Sequence, residues 1–427
     1  MNNIISKLFN LNKKLNQKEI SFQKIKNSTK ILKIFQSISS YSEWSEVRYV
    51  GGCVRKILNN ENYDDIDLAT NLDPQQIKEC LSANNIKFFE TGIKHGTITA
   101  TIEKQNFEIT SLRKDIATDG RHAEVLFTKD WNEDSSRRDF TINSIYADID
   151  GNIFDPNDGA NDLKNGIVRF IGNPEKRIKE DYLRILRYYR FLSFYDSSVD
   201  SETRKLIKKN ASSIVNLSSE RIHMEFFKIL DNDNSGKIIN FMEEDGILEL
   251  IFSHPVDVKV YNRMIDIDNE IFLNEDTLLK FVTLIPKNID KISNLKCFSF
   301  SNKEKKIIDL LINSKNEIKS YQSVKEVRAI LYKLGIDNFV RLTRLYWAKD
   351  KKISNISQWR ALLAMGHSWK APKFPIEAKD ILLLGVPEGP LVGEILNEVE
   401  NWWIDSDFIE DKASLFERIK AIVGAKI

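Results

Sequence analysis

Two glycines and two aspartates near the N-terminus have residue types and spacings that suit phosphate and metal chemistry. Gly51 and Gly52 follow a short apolar segment. A glycine pair lets backbone N–H groups approach phosphate oxygens, and Arg55 adds positive charge. Asp65 and Asp67 are two residues apart, so on a strand both carboxylates can face one site and, with a substrate phosphate, hold Mg²⁺. The alternative for Asp-x-Asp alone is an acidic pair in a surface turn.

Three further polar residues extend this candidate site. Glu108 lies in an apolar strand-like segment, where its carboxylate can act as a third metal ligand or as the base for an attacking hydroxyl. The alternative is a glutamate that faces solvent. Arg138 is suited to bidentate contact with phosphate, and Asp139 can accept a hydrogen bond from a ribose hydroxyl. The alternative for this pair is an ion-paired loop.

A later segment has the residue types needed to recognise a base. Arg177, Asp181, Arg184 and Tyr188 recur at spacings of four, three and four, which places them on one face of a predicted amphipathic helix. An Asp beside an Arg offers acceptors and donors in one plane and can pair with a base edge. The alternative is an ordinary ion pair on a helix surface, worth a few tenths of a kcal/mol.

The elements that must position these residues change type along the chain. Residues 45–115 predict strands at 47–50, 66–69, 97–102 and 107–112, with a hairpin between the last two and a helix beginning at Asp73-Pro74. Residues 114–136 lack periodicity and predict a mobile loop. From about residue 175 the pattern is helical, including a helix from Ser218-Ser219 to Leu230. The prediction is an α/β head with a mixed sheet, followed by an all-α neck, body and tail.

Length and composition disfavour membrane, secreted and disulfide-rich classes of protein. At 427 residues the chain predicts two to three domains, and 42% hydrophobic with 29% charged residues is typical of a globular protein. No apolar stretch is long enough to span a membrane, and no secretory signal begins the sequence. Cys53, Cys80 and Cys297 are too few and too widely spaced for a disulfide framework or a metal knuckle. We therefore expect a reducing, cytoplasmic location.

The net charge of +1 conceals an uneven distribution. Residues 1–34 carry eight Lys against one Glu, which predicts a basic extension over 1–30, with an organelle-targeting leader as the alternative. Residues 303–350 carry eleven Lys or Arg against six acids, and residues 376–411 carry ten acids against Lys379 alone. Basic segments can bind RNA phosphates. Arg341 and Arg344 are the candidate contacts, with solvated helix faces as the alternative.

Five motifs in order resemble those of the class II tRNA nucleotidyltransferase and bacterial poly(A) polymerase family of the polymerase-β superfamily. They are Val50–Arg55 with Asp65–Thr70; Asp134 with Arg137–Asn143; Asp155-Pro156 through Arg169; Glu180–Arg187; and Glu220-Arg221-Ile222 with Glu225. Residues 119–123 and 372–403 are similar to alphaproteobacterial members. The resemblance implies a polymerase-β-like head at 31–165, a helical neck at 166–270 and a tRNA-binding body and tail at 271–427.

The resemblance also implies roles for individual residues. Asp65 and Asp67 would hold two Mg²⁺ ions, with Glu108 as the third carboxylate. The nucleotide-binding residues would be Gly51, Gly52, Arg55, Arg138, Asp139, Asn143, Asp181, Arg184 and Arg187. Among these, Asp139 would contact the ribose, Asp181 and Arg184 would pair with C or A, and Arg187 would contact phosphate.

The implied activity is template-independent addition of C, C and A to the 3′ end of tRNA from CTP and ATP. We expect tRNA as partner, no membrane association and no obligate protein partner. A poly(A) polymerase shares all five motifs, although the acidic segment at 376–411 favours tRNA over arbitrary RNA ends. The motifs also suit an enzyme that adds A only, or an inactive RNA-binding relative. The intact carboxylates and arginines disfavour the inactive relative.

Overall fold

The computed structural model describes residues 22–63, 65–118, 123–195, 199–271, 276–286, 289, 292–314 and 317–426. Most of the predicted basic extension and residues 119–122 lie outside this part of the chain. The fold divides into two compact units, Met1–Ser253 and His254–Ile427.

The N-terminal unit is built on a mixed β-sheet. Its strands are β1 (Val47–Val50), β2 (Asp67–Thr70), β3 (Lys87–Gly92), β4 (Thr97–Ile102), β5 (Gln105–Ser111), β6 (Arg113–Thr118), β7 (Ala123–Phe127), β8 (Tyr146–Ala147) and β9 (Ile153–Phe154). Within the described residues, seven strands pair in the order β3-β4-β5-β2-β1-β8-β9, and β6 pairs with β7 separately. Strand β2 is central: it runs antiparallel to β1 and parallel to β5. The mixed sheet of the predicted head is confirmed.

Apolar residues on the strands explain this arrangement. Tyr49, Leu68 and Ile109 lie on three adjacent strands and are each at most 1% exposed, so the centre of the sheet is buried. The hairpin of β4 and β5 turns at Glu103 and Lys104, both of which have positive φ, as a tight hairpin turn requires. The observed turn is two residues shorter than the gap between the predicted strands at 97–102 and 107–112, because β5 begins at Gln105.

Six helices accompany the sheet in the described part of the head. They are α1 (Phe22–Lys26), α2 (Thr29–Ser39), α3 (Gly52–Leu58), α4 (Pro74–Ala83), α5 (Trp131–Arg137) and α6 (Gly159–Lys164), with 3₁₀ turns at Ile93–His95 and Thr141–Asn143. Helix α4 begins where predicted. The Asp73 carboxylate accepts from the backbone N–H of Gln76, whose side chain accepts from the Asp73 backbone N–H, which forms a capping box.

The segment predicted as a mobile loop at 114–136 contains regular structure. Strands β6 and β7 form an antiparallel hairpin, and α5 follows with its N-terminus capped by Asp130. The prediction of a loop was wrong over these residues because high charge content hid two short strands.

The remainder of the N-terminal unit is helical. Its helices are α7 (Pro174–Glu180), α8 (Leu183–Phe194), α9 (Ser201–Asn210), α10 (Ser219–Leu230), α11 (Ser235–Glu244) and α12 (Ile247–Phe252), with a 3₁₀ turn at Ala211–Asn216. Helix α10 has the predicted bounds. The single amphipathic helix predicted through Arg177 and Tyr188 is in fact two helices, because Asp181 adopts an extended conformation (φ −156°, ψ 107°) between α7 and α8.

The C-terminal unit is helical, as predicted. Its helices are α13 (Val258–Ile271), α14 (Thr277–Thr283), α15 (Asn302–Asn313), α16 (Val324–Leu334), α17 (Ile336–Lys349), α18 (Ile356–Ser368), α19 (Ala378–Leu382), α20 (Pro390–Asp405) and α21 (Lys412–Lys426), with 3₁₀ turns at Ile292–Asn294 and Ile353–Asn355. Helix α13 packs against α17 in this unit. The boundary between the two compact units falls at 253/254, and the predicted bounds of head, neck and body stay predictions. No helix among the described residues is long and apolar enough to cross a membrane.

Candidate active site

A pocket of about 690 Å³ in the N-terminal unit gathers most of the predicted site. Its walls include Gly51, Gly52, Arg55, Asp67, Glu108, Arg138, Asp139, Asn143, Asp181, Arg184 and Arg187. These residues come from the β1–α3 turn, strands β2 and β5, the segment after α5, and the junction of α7 with α8. Asp65, Arg341 and Arg344 do not line this pocket. Residues distant in sequence thus meet in one cavity large enough for a nucleotide.

The carboxylates lie at the sheet end of the pocket. Asp67 is directly opposite Glu108 in the parallel pairing of β2 with β5. Asp65 is exposed and precedes β2, as it precedes the predicted strand at 66–69, so strand alternation does not direct its carboxylate to the same side as that of Asp67. Burial, then Glu108, then Asp65 raise the pKa of Asp67, and Arg138 and Arg55 only partly oppose this. The ionised form of Asp67 is therefore disfavoured, first by loss of hydration and then by the two nearby carboxylates.

This donor set fits a hard divalent cation. Carboxylate oxygens are the ligands that Mg²⁺ prefers, and a cation between Asp67 and Glu108 would relieve the repulsion that raises the pKa of Asp67. Within the described residues, no three His, Cys, Asp or Glu side chains form a ready-made metal cluster. Mg²⁺ usually keeps several water or substrate ligands, so two protein carboxylates with phosphate oxygens are an adequate set.

The glycine turn lies beside two arginines. Gly51 has φ +67°, and a Cβ atom there would lie 3.8 Å from both Arg138 Nη1 and the backbone oxygen of Asn143. Arg55 donates to the Asn143 side-chain oxygen, and its Cζ atom lies 4.9 Å from the centre of the Phe191 ring. Glycine at position 51 therefore meets the conformational requirement of the turn and keeps this side of the pocket open.

A buried aspartate orients Arg138. Asp134 is 1% exposed and accepts from Arg138 Nε (3.1 Å), Arg138 Nη2 (3.0 Å) and the Tyr146 hydroxyl (2.7 Å). Burial alone raises the pKa of Asp134, but Arg138 and Arg137 outweigh it and hold this pKa well below its usual range. Asp134 was not among the predicted site residues. The available signal was its position one helical turn before Arg138.

Asp139 is held in the ionised state by its neighbours. Its Oδ1 atom accepts from the Asn143 amide (2.9 Å) and the Phe140 backbone N–H (2.9 Å), and Oδ2 accepts from Arg187 Nε (2.7 Å). Burial raises the pKa of Asp139, but Arg187 and these hydrogen bonds lower it to about 2. Asp139, Asn143 and Arg187 therefore form one connected, oriented group at the pocket wall.

Asp181 and Arg184 line the same pocket but do not pair with each other. Asp181 Oδ1 accepts from the Leu183 backbone N–H (3.1 Å), and Oδ2 accepts from Arg221 Nη2 (2.6 Å). Arg184 Nη1 donates to Glu180 Oε2 (2.6 Å) and to the backbone oxygen of Arg177 (2.8 Å). Because the helix breaks at Asp181, Arg177 on α7 and Arg184 and Tyr188 on α8 do not share one helix face, so the predicted four-residue face was wrong.

Several pocket residues were missed by sequence reasoning. They are Arg113, Arg190 and Phe191, together with Thr97 and Thr110 beside Glu108; Arg221 also lines the pocket and belongs to the fifth motif, but it was given no site role. The centre of the Phe191 ring lies within 5.5 Å of the guanidinium carbons of both Arg187 and Arg190. Glu225 Oε2 forms an ion pair with Arg190 Nε at 2.6 Å. The three-residue spacing of Arg184, Arg187 and Arg190 was the available signal, since it predicts one helix face.

Arg344 is not placed to contact RNA. Its side chain is 4% exposed on α17 and forms an ion pair with Asp268 of α13 (Arg344 Nη2 to Asp268 Oδ1, 2.5 Å). A guanidinium buried against its own carboxylate cannot reach an external phosphate, so this prediction was wrong. Arg341 is partly exposed and pairs with Asp276 at 2.6 Å, and its role as an RNA contact stays a prediction.

We expect Arg344→Met to lower the free energy of unfolding of the chain by about 3–5 kcal/mol, because it leaves Asp268 charged and buried without this ion pair. The double variant Arg344→Met/Asp268→Leu should recover most of this loss. Arg341→Met, which removes a partly exposed pair, should cost at most about 1 kcal/mol. Denaturant unfolding measures all three. Normal stability of Arg344→Met with weakened RNA binding would contradict the structural role.

Comparison with known proteins assigns the chain to a family. Two family models match, the poly A polymerase head domain over residues 47–169 and the probable RNA and SrmB-binding site of polymerase A over residues 198–256. The mitochondrial CCA tRNA nucleotidyltransferase 1 of Mus musculus is 35% identical over 387 residues, with 88% of this chain and 86% of that protein covered. The chain belongs to the CCA tRNA nucleotidyltransferase family.

Other members of this family match over a similar span. The CCA-adding enzyme of Ligilactobacillus salivarius is 31% identical, with 90% of this chain and 94% of that protein covered. The human mitochondrial relative is 36% identical, with 88% of this chain and 86% of that protein covered. These relatives are mitochondrial or from Firmicutes, so they give no support to the particular similarity to alphaproteobacterial members.

Solved structures of CCA tRNA nucleotidyltransferases share the fold. The Bacillus stearothermophilus CCA-adding enzyme in complex with CTP superposes with a TM-score of 0.71 at 22% identity, covering 93% of this chain and 97% of that chain. The Thermotoga maritima CCA-adding enzyme complexed with tRNA gives a TM-score of 0.67 at 20% identity, covering 93% and 96%. The predicted architecture of an α/β head followed by helices is therefore confirmed.

Proposed function

We propose that this enzyme adds C, C and A to the 3′ end of tRNA, using CTP and ATP without a nucleic-acid template. The observation that carries the proposal is the pocket itself. It joins a carboxylate pair on the sheet, Asp67 and Glu108, to an Asp–Arg pair at a helix junction, Asp181 and Arg184, with a row of arginines between them. One end of the pocket suits nucleotidyl transfer and the other suits selection of a base.

Elementary hydrogen-bond chemistry explains why C and A are chosen. Both bases present an exocyclic amino donor next to a ring nitrogen acceptor, whereas U and G present a carbonyl next to a ring N–H. The Asp181 carboxylate has lone pairs that can accept from an amino group, and it rejects a carbonyl oxygen. Both hydrogen bonds from Arg184 to described residues leave from Nη1, so its other N–H groups remain for the ring nitrogen.

The arginines bind the triphosphate and align it. Arg55 and Arg138 line the pocket close enough to Asp67 to oppose the rise of its pKa, and Arg187 lines it close enough to Asp181 to interact with it electrostatically. Each is held by a neighbour (Asn143, Asp134 and Asp139, respectively), so little ordering is needed when nucleotide binds. Asp139 is ionised, and we assign to it the ribose hydroxyl contact, which favours ribonucleotides over deoxyribonucleotides.

The reaction is attack of the RNA 3′ hydroxyl oxygen on the α-phosphorus, with pyrophosphate as the leaving group. Mg²⁺ held by the pocket carboxylates Asp67 and Glu108, with Asp65 near enough to act on Asp67 as the other predicted metal ligand, would acidify the hydroxyl and neutralise charge on the pyrophosphate, in the manner of a two-metal site. The chain supplies the fixed spacing of Asp67 and Glu108 on adjacent strands. Its arginines stabilise the negative charge that builds up on the phosphates.

The deciding experiment is nucleotide addition to three purified RNAs: tRNA ending at the discriminator base, tRNA ending in CC, and an unstructured oligonucleotide. Each receives CTP, ATP or both with Mg²⁺, and products are resolved at single-nucleotide length. We expect CC and then a single A on the tRNAs alone. Long A tails on the oligonucleotide would favour a poly(A) polymerase, and A addition only to tRNA ending in CC would favour an A-adding enzyme.

The cytoplasmic location stays a prediction, to be tested by localising a tagged chain.

A further inference from the structure

One buried arginine connects the two ends of the pocket without lining it. Arg177 lies on α7 and is 8% exposed. Its guanidinium donates to Glu180 and to the backbone oxygens of Arg137 and Arg138. A buried cation requires such acceptors to offset its desolvation. Arg177 is not among the residues that form the pocket wall.

The partners of Arg177 on one side belong to the phosphate-binding wall. Helix α5 ends at Arg137, so the carbonyl groups of Arg137 and Arg138 belong to a helix C-terminus, where backbone acceptors lack intrahelical partners. A cation there also compensates the negative end of the helix dipole. Because Arg138 and Asp139 line the pocket, the position of Arg177 is tied to the segment that we assign to ribose and phosphate contact.

Its partners on the other side belong to the base-selecting wall. The same Glu180 oxygen that accepts from Arg177 also accepts from Arg184 Nη1 (2.6 Å). Arg184 Nη1 donates in addition to the backbone oxygen of Arg177 (2.8 Å). Arg184 is therefore held both by the main chain of Arg177 and, through Glu180, by its side chain.

We propose that Arg177 is a positioning residue that fixes the distance between the base-selecting wall and the phosphate-binding wall, and so determines nucleotide selectivity. The inference rests on the proposed function. A correct base can pair with Asp181 and Arg184 while its α-phosphate reaches the carboxylates only if the two walls keep a set separation. The planar guanidinium suits this task because it donates in several fixed directions at once, which an ammonium on a flexible stem does not reproduce.

The test compares Arg177→Lys and Arg177→Gln with the wild-type enzyme in single-turnover addition. CTP and UTP are compared on tRNA ending at the discriminator base, and ATP and GTP on tRNA ending in CC. We expect the CTP:UTP and ATP:GTP rate ratios to fall by about 10- to 100-fold in both variants, since small misplacements of reacting groups cost rates of this order. Each ratio is taken within one preparation, so loss of folded protein cancels.

Arg204→Lys is the matched control. Arg204 is a partly buried arginine of the same unit, and it donates to Asp245 at 2.8 Å and to Glu244 at 2.9 Å, away from the pocket. We expect its ratios to equal those of the wild type. If Arg204→Lys lost as much selectivity as the Arg177 variants, the cause would be a general loosening of the helices, and the proposal would be overturned.

A double variant separates positioning from an unrelated effect. If Arg177 acts through the base-selecting wall, Arg177→Lys/Asp181→Ala should be no less selective than Asp181→Ala alone, because the two changes remove the same discrimination. The proposal would be overturned if the selectivity losses of Arg177→Lys and Asp181→Ala added up in the double variant. It would also be overturned if the CTP:UTP and ATP:GTP rate ratios of Arg177→Lys and Arg177→Gln equalled those of the wild type. A wild-type enzyme that shows no preference for CTP and ATP would instead contradict the proposed function itself.

Discussion

Asp67→Asn is expected to abolish nucleotide addition, with a fall in kcat of about a thousandfold or more, which corresponds to about 4 kcal/mol of lost transition-state stabilisation. The substitution keeps the size of the side chain and removes its charge at the point where β2 lies against Glu108. Without this carboxylate the sheet loses one of the two pocket carboxylates proposed to hold a divalent cation. Single-turnover addition of CMP at saturating CTP and Mg²⁺ measures the loss.

The same variant should not lose stability, and this separates a functional role from a structural one. Burial, Glu108 and Asp65 raise the pKa of Asp67, so the folded state disfavours its ionised form. Stability from this group is present at low pH and is lost as pH rises through the folded-state pKa. Asn cannot ionise, so Asp67→Asn avoids the loss of stability that ionisation of Asp67 causes at neutral pH. We therefore expect its Tm at neutral pH without divalent cation to equal or exceed that of the wild type.

Asp73→Asn provides the matched control for Asp67→Asn. Asp73 lies outside the pocket and caps α4, and Asn caps helices about as well as Asp. The same chemical change should therefore leave kcat within about twofold and Tm within a few degrees of the wild type. A wild-type rate in Asp67→Asn would exclude Asp67 from catalysis, and a large drop in its Tm would indicate a structural role.

Asp181→Ala is expected to reduce the preference for CTP over UTP and for ATP over GTP while leaving incorporation detectable. Asp181 accepts from Arg221 (2.6 Å) and from the Leu183 backbone, and it lines the pocket together with Arg184. Removing it deletes the acceptor for the amino group of C or A. One such paired contact is worth about 1–3 kcal/mol of discrimination, so the ratios should fall roughly 5- to 150-fold.

Two further variants test the assignment of base selection to this pair. Arg184→Lys keeps the charge but loses the planar fork, and we expect a loss of selectivity similar to that of Asp181→Ala. Glu202→Ala removes an exposed acid of the same unit that pairs with Lys205, and its ratios should match the wild type. If Asp181→Ala slowed all four nucleotides equally, the residue would support the fold at the helix junction and would not select the base.

Local features of the fold were predictable where a short sequence pattern contains the whole physical cause. The strand at 47–50, the helix capped by Asp73 and the helix at Ser219–Leu230 follow from alternation, capping and turn chemistry within a few residues. The pairing of β6 with β7 was not predictable in this way, because the successive charged residues Arg113, Lys114 and Asp115 interrupt the apolar alternation that marks a buried strand. The break in the helix at Asp181 was not predicted because residues with helical spacing continue on both sides of it.

The sequence by itself determined the residue types of the site and the order of its motifs. Those residue types are carboxylates and arginines, which suit metal binding and phosphate binding. Only the tertiary structure decided which of them meet. The parallel pairing of β2 with β5 places Asp67 against Glu108, and the ion pair with Asp268 removes Arg344 from the RNA-binding candidates. Arg177, which the helical spacing placed on one face with Asp181 and Arg184, is buried where α7 meets the end of α5. Contacts between distant segments depend on how buried surfaces pack, and residue spacing along one element cannot specify them.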